Sequence, residues 1–349
     1  MKANQTPYAP SWVDRLTAWI ENLPFPIWTF YYFLYLFALL SLQAADWLNG
    51  VAPWGTFSFV AFYNAIWLPM ALLVIHNTDR LAAHAMSRFA PLARNHQAEV
   101  EDIRYRITTM PARPVFLISI IGMSALTIGA IQDPTFVIFT MPEGQIHPLA
   151  YILAGFFGVV SYGNALIMIY HAIRQLNLVT KAYKLVDDVN LFHQQPLYAF
   201  SGLTMRTALY LVAQVYITYA GQAIYSASAA EDAVNLALSV VIIPMSIAIV
   251  LLPLWGIHQR LDEAKAAVLE ENSMQIESTR TDLYQAIDKK SYVDVQGLDS
   301  AMNSLYKERD LLKTIPTWPW ATGAFRNFLS AILLPMVLWV LQTLVSRYI

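Results

Sequence analysis

The last apolar stretch of the chain, FLSAILLPMVLWVLQTLVSRYI, places Leu338, Leu341, Gln342 and Val345 at i, i+3, i+4 and i+7. At helical pitch these four share a face that is apolar apart from one amide. Repeated around a symmetry axis, that face makes a narrow hydrophobic constriction crossed by one polar ring, and such constrictions gate by dewetting. It would serve equally well to pack against neighbouring helices or lipid. The four are the candidate pore-lining residues.

A second set of polar residues lies inside other apolar stretches, and all of it is neutral: Asn64, Asn164, Gln214, Gln222, Tyr63, Tyr162, Tyr216 and Tyr219. Amides and phenols can line a small-molecule pocket or a hydrated pore. They can equally pair between helices, where each pair is worth about 0.6 kcal/mol. The concentration of Gln214, Tyr216, Tyr219 and Gln222 in one short stretch favours a pocket. Proton-coupled transporters usually keep ionisable groups at mid-membrane, and these stretches hold none there.

Chemistry of other kinds is poorly represented. There is no GxxxxGK[ST], no GxGxxG after a strand, no HExxH and no GxSxG. The absence of cysteine excludes disulfides, thiolate metal sites and cysteine nucleophiles. His76 and His84 stand eight apart and could face a haem or metal together, but snorkelling or capping at a membrane boundary is the stronger reading. No cofactor, metal or catalytic residue is expected. His258, in IHQRLDEAK, superficially resembles the phospho-accepting helix of sensor kinases, and no ATP-binding module follows it.

The elements that must position these residues are membrane helices. Of 349 residues, 57% are hydrophobic and 13% charged, and mean hydropathy is +0.43. A soluble domain carries about 25% charged residues. A hydrocarbon core of about 30 Å needs roughly 20 apolar helical residues. Seven stretches qualify, at about 26–45, 56–75, 115–131, 149–170, 207–224, 236–255 and 328–345. Ahead of them, Trp12, Val13, Leu16, Trp19, Ile20 and Leu23 recur at helical spacing and predict a short amphipathic helix lying on the membrane, ended by Pro24 and Pro26.

Charge sets the expected orientation. With a cytoplasmic N-terminus, every Lys and Arg of the 22 falls on the inner side except Arg347. That is a strong positive-inside signal, and it predicts an N-in, C-out chain, the reverse of a G-protein-coupled receptor. The outer loops are short. The inner segments are longer, and their apolar residues recur at helical spacing: Ile173, Leu176, Val179, Tyr183, Val186 and Val189 in one, ended by Pro196, and Leu261, Ala264, Val268, Ile276, Leu283 and Ile287 in another. A turn around 292–297 then leads to a second helix bearing Leu298, Met302, Leu305 and Leu312. The expectation is an all-α polytopic membrane protein with four parts: a cytoplasmic N-terminus with its amphipathic helix (1–25), a six-span bundle (26–255) with an extension at 171–206, a cytoplasmic helical hairpin (256–320), and a seventh span (321–349). Net charge of -2 suggests no nucleic-acid partner.

Taken together, these features resemble the seven-span channel superfamily of insect odorant and gustatory receptors. The last span of that family carries Thr-Tyr, five apolar residues and Gln-Phe. Here Val337, Leu338, Trp339, Val340 and Leu341 followed by Gln342 match the apolar run and the glutamine, while Pro335-Met336 and Thr343 replace the other positions. The resemblance covers most of the chain as topology, and only Gln342 is carried over through a motif. It implies a homotetramer with the seventh spans around a cation pore and a cytoplasmic anchor from 171–206 and 256–320. It also implies an outward-facing small-molecule pocket among spans two to six, which Tyr63, Asn64, Tyr151, Tyr216, Tyr219 and Gln222 would line by position.

The function expected is therefore an oligomeric cation channel of the cell membrane, ligand-gated or constitutive, without enzymatic activity, whose partners are its own copies, lipid and a small ligand. The alternatives are a secondary transporter of a neutral solute, or a membrane scaffold or signalling protein acting through its cytoplasmic helices.

Overall fold

The computed structural model describes residues 6–132, 147–224, 229–320 and 323–333, with backbone only at 130, 215 and 218–243. Their regular structure is helical, apart from one isolated antiparallel bridge between Pro10 and Pro111. The helices are α1 (Trp12–Glu21), α2 (Ile27–Leu48), α3 (Phe59–Asn64), α4 (Trp67–Phe89), α5 (Gln97–Thr108), α6 (Ala112–Gln132), α7 (Pro148–Tyr183), α8 (Ser201–Ile224), α9 (Ala229–Asp288), α10 (Tyr292–Thr314) and α11 (Ala324–Leu333). Among the described residues, four helical stretches are long and apolar enough to cross a membrane: Ile27–Leu48, Phe59–Leu92, Ala112–Gly129 and Pro148–Tyr183. The expected fifth and sixth spans fall in α8 and α9. The seventh begins within α11, and its remainder lies outside the described residues.

α1 opens on a capping box, in which Ser11 Oγ accepts from the Asp14 amide and the Asp14 carboxylate accepts from the Ser11 amide. Its apolar stripe is seated against protein. Val13 and Ile20 are fully buried in a cluster with Tyr31 of α2, Ala71, Leu72 and Ile75 of α4, and Ile167 and Met168 of α7. The Trp12 indole donates to Ser119 Oγ of α6 at 3.1 Å. Only Trp19 stands well out of this interface. The amphipathic pattern of α1 thus finds its apolar partner inside the molecule.

α6 and α7 touch through glycine. A Cβ at Gly122 would sit 2.7 Å from Leu166 Cδ1, and one at Gly163 would sit 2.8 Å from Met123 Cγ. Small residues let membrane helices approach closely, so that dispersion replaces the hydrophobic drive that lipid removes.

The largest core lies in a basal layer beyond the apolar ends of the bundle. It is built by the last turns of α4 (Ala82, Met86, Phe89), by α5 (Ile103, Ile107), the end of α7 (Val179, Ala182), the segment 184–200 (Val186, Leu191, Leu197, Phe200) and the middle of α9 (Leu254, Ile257, Leu261). Phe89, Tyr183 and Phe200 meet edge-on or tilted, with centroids 5.2–5.9 Å apart, and the Tyr183 phenol donates to Leu197 O at 2.7 Å. The helical spacing of 171–196 predicts a helix up to Pro196, whereas α7 stops at Tyr183. The chain then turns away, tied by the Asp187 amide to Leu92 O at 3.0 Å. Val186 and Leu191 are buried from a loop, so packing overrides the local period.

α9 runs unbroken through Pro244 and Pro253, carrying an apolar first half directly into a charged second half. It turns at 289–291, earlier than the sequence spacing suggests, with Lys290 in the left-handed region at φ 57°. α10 returns antiparallel to α9. Buried Asn272 fixes their register by donating to Leu305 O and Glu308 Oε2, both at 3.2 Å.

Candidate functional site

The hairpin returns the chain to the level at which α9 leaves its apolar half, and α11 starts there. Between α10 and α11 the segment 315–320 reads IPTWPW. Pro316 and Pro319 remove amide donors and forbid helix, so side chains from other elements must hold the segment. Lys265 Nζ donates to Lys313 O at 2.9 Å and Ile315 O at 2.7 Å. Gln194 Nε2 donates to Pro316 O at 3.1 Å. His258 Nδ1 lies 3.1 Å from Thr317 O, and a carbonyl only accepts, so Nδ1 carries the hydrogen.

Ring stacking continues the attachment. The His258 imidazole lies flat on Trp318, with centroids 3.9 Å apart and planes within 7°. Trp318 stacks on Trp320 at 4.6 Å, and Trp320 on Phe325 at 4.8 Å. This ladder of rings joins α9 to the first turn of α11. Gly323, at φ 83°, turns the chain into α11, a conformation that L side chains rarely adopt.

α11 has two unlike faces. Phe328 and Ile332 are buried against Met205, Ala208 and Val212 of α8 and Val250 of α9. The Tyr216 phenol, from α8, donates to Ile332 O. On the opposite side Arg326, Asn327, Ser330, Ala331 and Leu333 are exposed.

The remaining residues nominated from sequence lie in several places. Leu338, Leu341, Gln342 and Val345 lie outside the described residues, as do the side chains of Tyr219 and Gln222. Tyr63 and Asn64 end α3, where Tyr63 is buried and meets Trp67 edge-on at 5.8 Å. Tyr151 lies in the first turns of α7 and is half-buried. Gln214 Nε2 reaches Met168 Sδ at 3.4 Å. Tyr216 is held on the backbone of α11.

A polar network that sequence reasoning missed is buried where α1, α2, α4, α5 and α7 converge. His76 of α4 takes Tyr31 OH on Nδ1 at 2.9 Å and Glu21 Oε1 on Nε2 at 3.0 Å. Asp79, one turn on, accepts from His171 Nε2 and from Gln175 Nε2. Gln175 also donates to Ile107 O at 2.9 Å. Asp14 Oδ2 accepts from the Met110 amide at 2.9 Å. Arg174 donates to Arg106 O, to Thr109 O at 2.6 Å and to the Tyr8 phenol. Burial pushes the Tyr8 phenol up, opposed by its hydrogen bond to Thr109 and the Arg174 charge. The signal for this network was present as His76 with Asp79 at i, i+3 and His171 with Gln175 at i, i+4. Pairing His76 with His84 instead obscured it, and His84 is exposed. Among the described residues no three His, Asp or Glu converge as a metal site.

Compared with family models, curated proteins and solved structures, the chain matches none.

Proposed function

We propose that this chain is a subunit of an oligomeric ion channel of the cell membrane, without catalytic activity. In this reading seven helices span the membrane with the N-terminus cytoplasmic and the C-terminus outside. The last span of each copy lines a shared pore, and four copies complete it.

The observation that carries the reading is the two-faced foot of α11. One side is packed on α8 and α9, while the other exposes Ser330 inside the expected seventh span, one turn past Arg326 and Asn327 at its inner boundary. Polar groups on the open side of a membrane helix are costly against lipid and stable against water. Counted at 3.6 residues per turn, Leu338 falls about three turns beyond Asn327, and Leu341 about three turns beyond Ser330. A helix carried on at that pitch would bring the apolar face nominated as a constriction into line with the exposed face of α11. Further support comes from the distribution of Lys and Arg, which sets the orientation. The resemblance to the chemoreceptor channels supports cation selectivity, a tetramer and gating by a small ligand held near Tyr63, Asn64, Tyr151, Tyr216, Tyr219 and Gln222.

A second reading, a membrane scaffold that recruits a soluble partner through the hairpin, is favoured by its tip, where Tyr292 and Val293 are 80% and 84% exposed. Planar-bilayer recording of the purified protein separates the two. The channel reading expects unitary conductance that changes with substitution at Leu341 or Gln342. Silence of a protein whose mass in detergent is that of one chain would refute it.

A further inference from the structure

The channel reading makes the seat of α11 the place where the pore helix is joined to the rest of the fold. Four attachments hold that seat: Lys265 on the carbonyls of Lys313 and Ile315, Gln194 on Pro316 O, and His258 on Thr317 O. Three of the four involve donors whose chemistry is constant near neutral pH. The fourth is an imidazole, the side chain whose charge changes between pH 5 and 8.

We infer that His258 and Trp318 form a proton-sensitive latch that fixes the start of the last helix and tightens when His258 is protonated. The geometry sets the sign. The ring lies 3.9 Å from the Trp318 centroid and 7° from parallel, so an imidazolium there is a cation over an indole face. Its Nδ1–H bond to Thr317 O becomes charge-assisted and about twice as strong. Both contacts improve together on protonation. Because Trp318 stacks on Trp320 and Trp320 on Phe325, a change in the His258 contact reaches the first turn of α11 through touching rings.

The elements packed around the ring carry ionisable groups of both signs. Segment 315–320 brings none. On α9 itself stand Arg260, whose Nη1 donates to Tyr183 O, then Asp262 and Lys265. α10 contributes Lys313, α8 Arg206 and α11 Arg326, while the 184–200 segment carries Lys184, Asp187, Asp188 and His193 beside Gln194. None of these forms an ion pair with His258 among the described residues. A proton on the ring therefore acts on the stacked Trp318 indole, on the edge-on Trp255 indole at 5.8 Å and on the Thr317 carbonyl.

The inference rests on the channel reading for its consequence and stands on fluorescence for its existence. The test titrates the tryptophan emission of the full-length protein in nanodiscs from pH 8.5 to 5. Ten tryptophans contribute, so Trp318→Phe supplies the difference signal. A protonated histidine stacked on an indole quenches it. The expected result is a fall of about a third in the Trp318 contribution between pH 8.5 and 5, lost in His258→Gln and kept in His193→Gln. A flat profile, or one unchanged in His258→Gln, overturns the latch. Circular dichroism checks that each variant is folded. Bilayer conductance read over the same pH range in wild type and His258→Gln tests the consequence. Conductance that follows the fluorescence step supports regulation by the latch. Conductance indifferent to both pH and His258→Gln overturns that regulation and leaves the pore. No conductance at any pH overturns the pore reading alone, because the fluorescence step is judged separately.

Discussion

His171 Nε2 donates to Asp79 Oδ1 across 2.7 Å, joining α7 to α4. The histidine side chain is 1% exposed and the carboxylate 14%. The same oxygen accepts from Gln175 Nε2 at 3.0 Å, so one carboxylate oxygen gathers two donors from successive turns of α7. Asp79→Ala leaves the His171 Nε2–H buried without an acceptor, while Gln175 Nε2 keeps Ile107 O, at a cost of about 1–3 kcal/mol for the stranded group. We expect a loss of that size in chemical unfolding of the detergent-solubilised protein. The double variant with His171→Ala should recover at least about 1 kcal/mol of it, as residues in direct contact do. Strictly additive losses would contradict the pairing.

Arg174 anchors the N-terminal segment. It reaches the carbonyls of Arg106 and Thr109 and the phenol of Tyr8, which itself donates to Thr109 O at 2.8 Å. A guanidinium supplies several donors in a fixed fork, and an ammonium cannot reproduce that geometry. Arg174→Lys should therefore loosen residues 8–21 while leaving the bundle assembled. Trypsin cleavage after Arg15 should accelerate several-fold in limited proteolysis, with overall helicity unchanged. An unaltered cleavage rate would show that α1 is held by its apolar stripe alone.

Gly323 stands at φ 83° with no atom within 4 Å of where a Cβ would be built. Any cost of Gly323→Ala must then come from the backbone, at about 1–2 kcal/mol. Because this residue begins α11, the strain should appear as a shifted or frayed first turn of that helix. Amide exchange of residues 324–328 should speed up by about tenfold, while α4 and α7 keep their protection. Uniform exchange across the molecule would argue against a local hinge.

Much of the architecture was legible from the chain. Apolar runs located the stretches that became α2, α4, α6 and α7, and the periodic residues from Leu261 onward anticipated a helix that continues past Gly256. What local pattern could not provide was the choice of partners. Trp12, Val13 and Ile20 read as a membrane-surface stripe, because no sequence rule places α2 and α6 beside them. Val186 carries helical spacing and yet packs from a loop, since the core beneath Phe89 and Phe200 accepts it there. The hairpin turns at 289–291 before the glycine at Gly297, with Lys290 taking the left-handed conformation that a glycine would normally take. The buried network was hidden for the same reason: Glu21, His76 and Tyr31 meet only after three helices assemble.

The seat of α11 was half legible. Pro316 and Pro319 forbid helix between α10 and α11, but the stack of His258 on Trp318 joins residues far apart in sequence. Tyr216, nominated for a ligand pocket, also ties α8 to the backbone of α11 through its phenol.

The central claim is that copies of the chain gather with their last helices around one axis, and the absence of cysteine makes it directly testable. Ser330→Cys places a thiol on the exposed face of α11, and Phe328→Cys places one on the face buried against α8. Membranes carrying each variant are oxidised with copper phenanthroline and resolved without reductant. The account predicts disulfide-linked dimers from Ser330→Cys and none from Phe328→Cys. A Ser330→Cys protein that stays entirely monomeric under conditions that fully oxidise a control dithiol would contradict it.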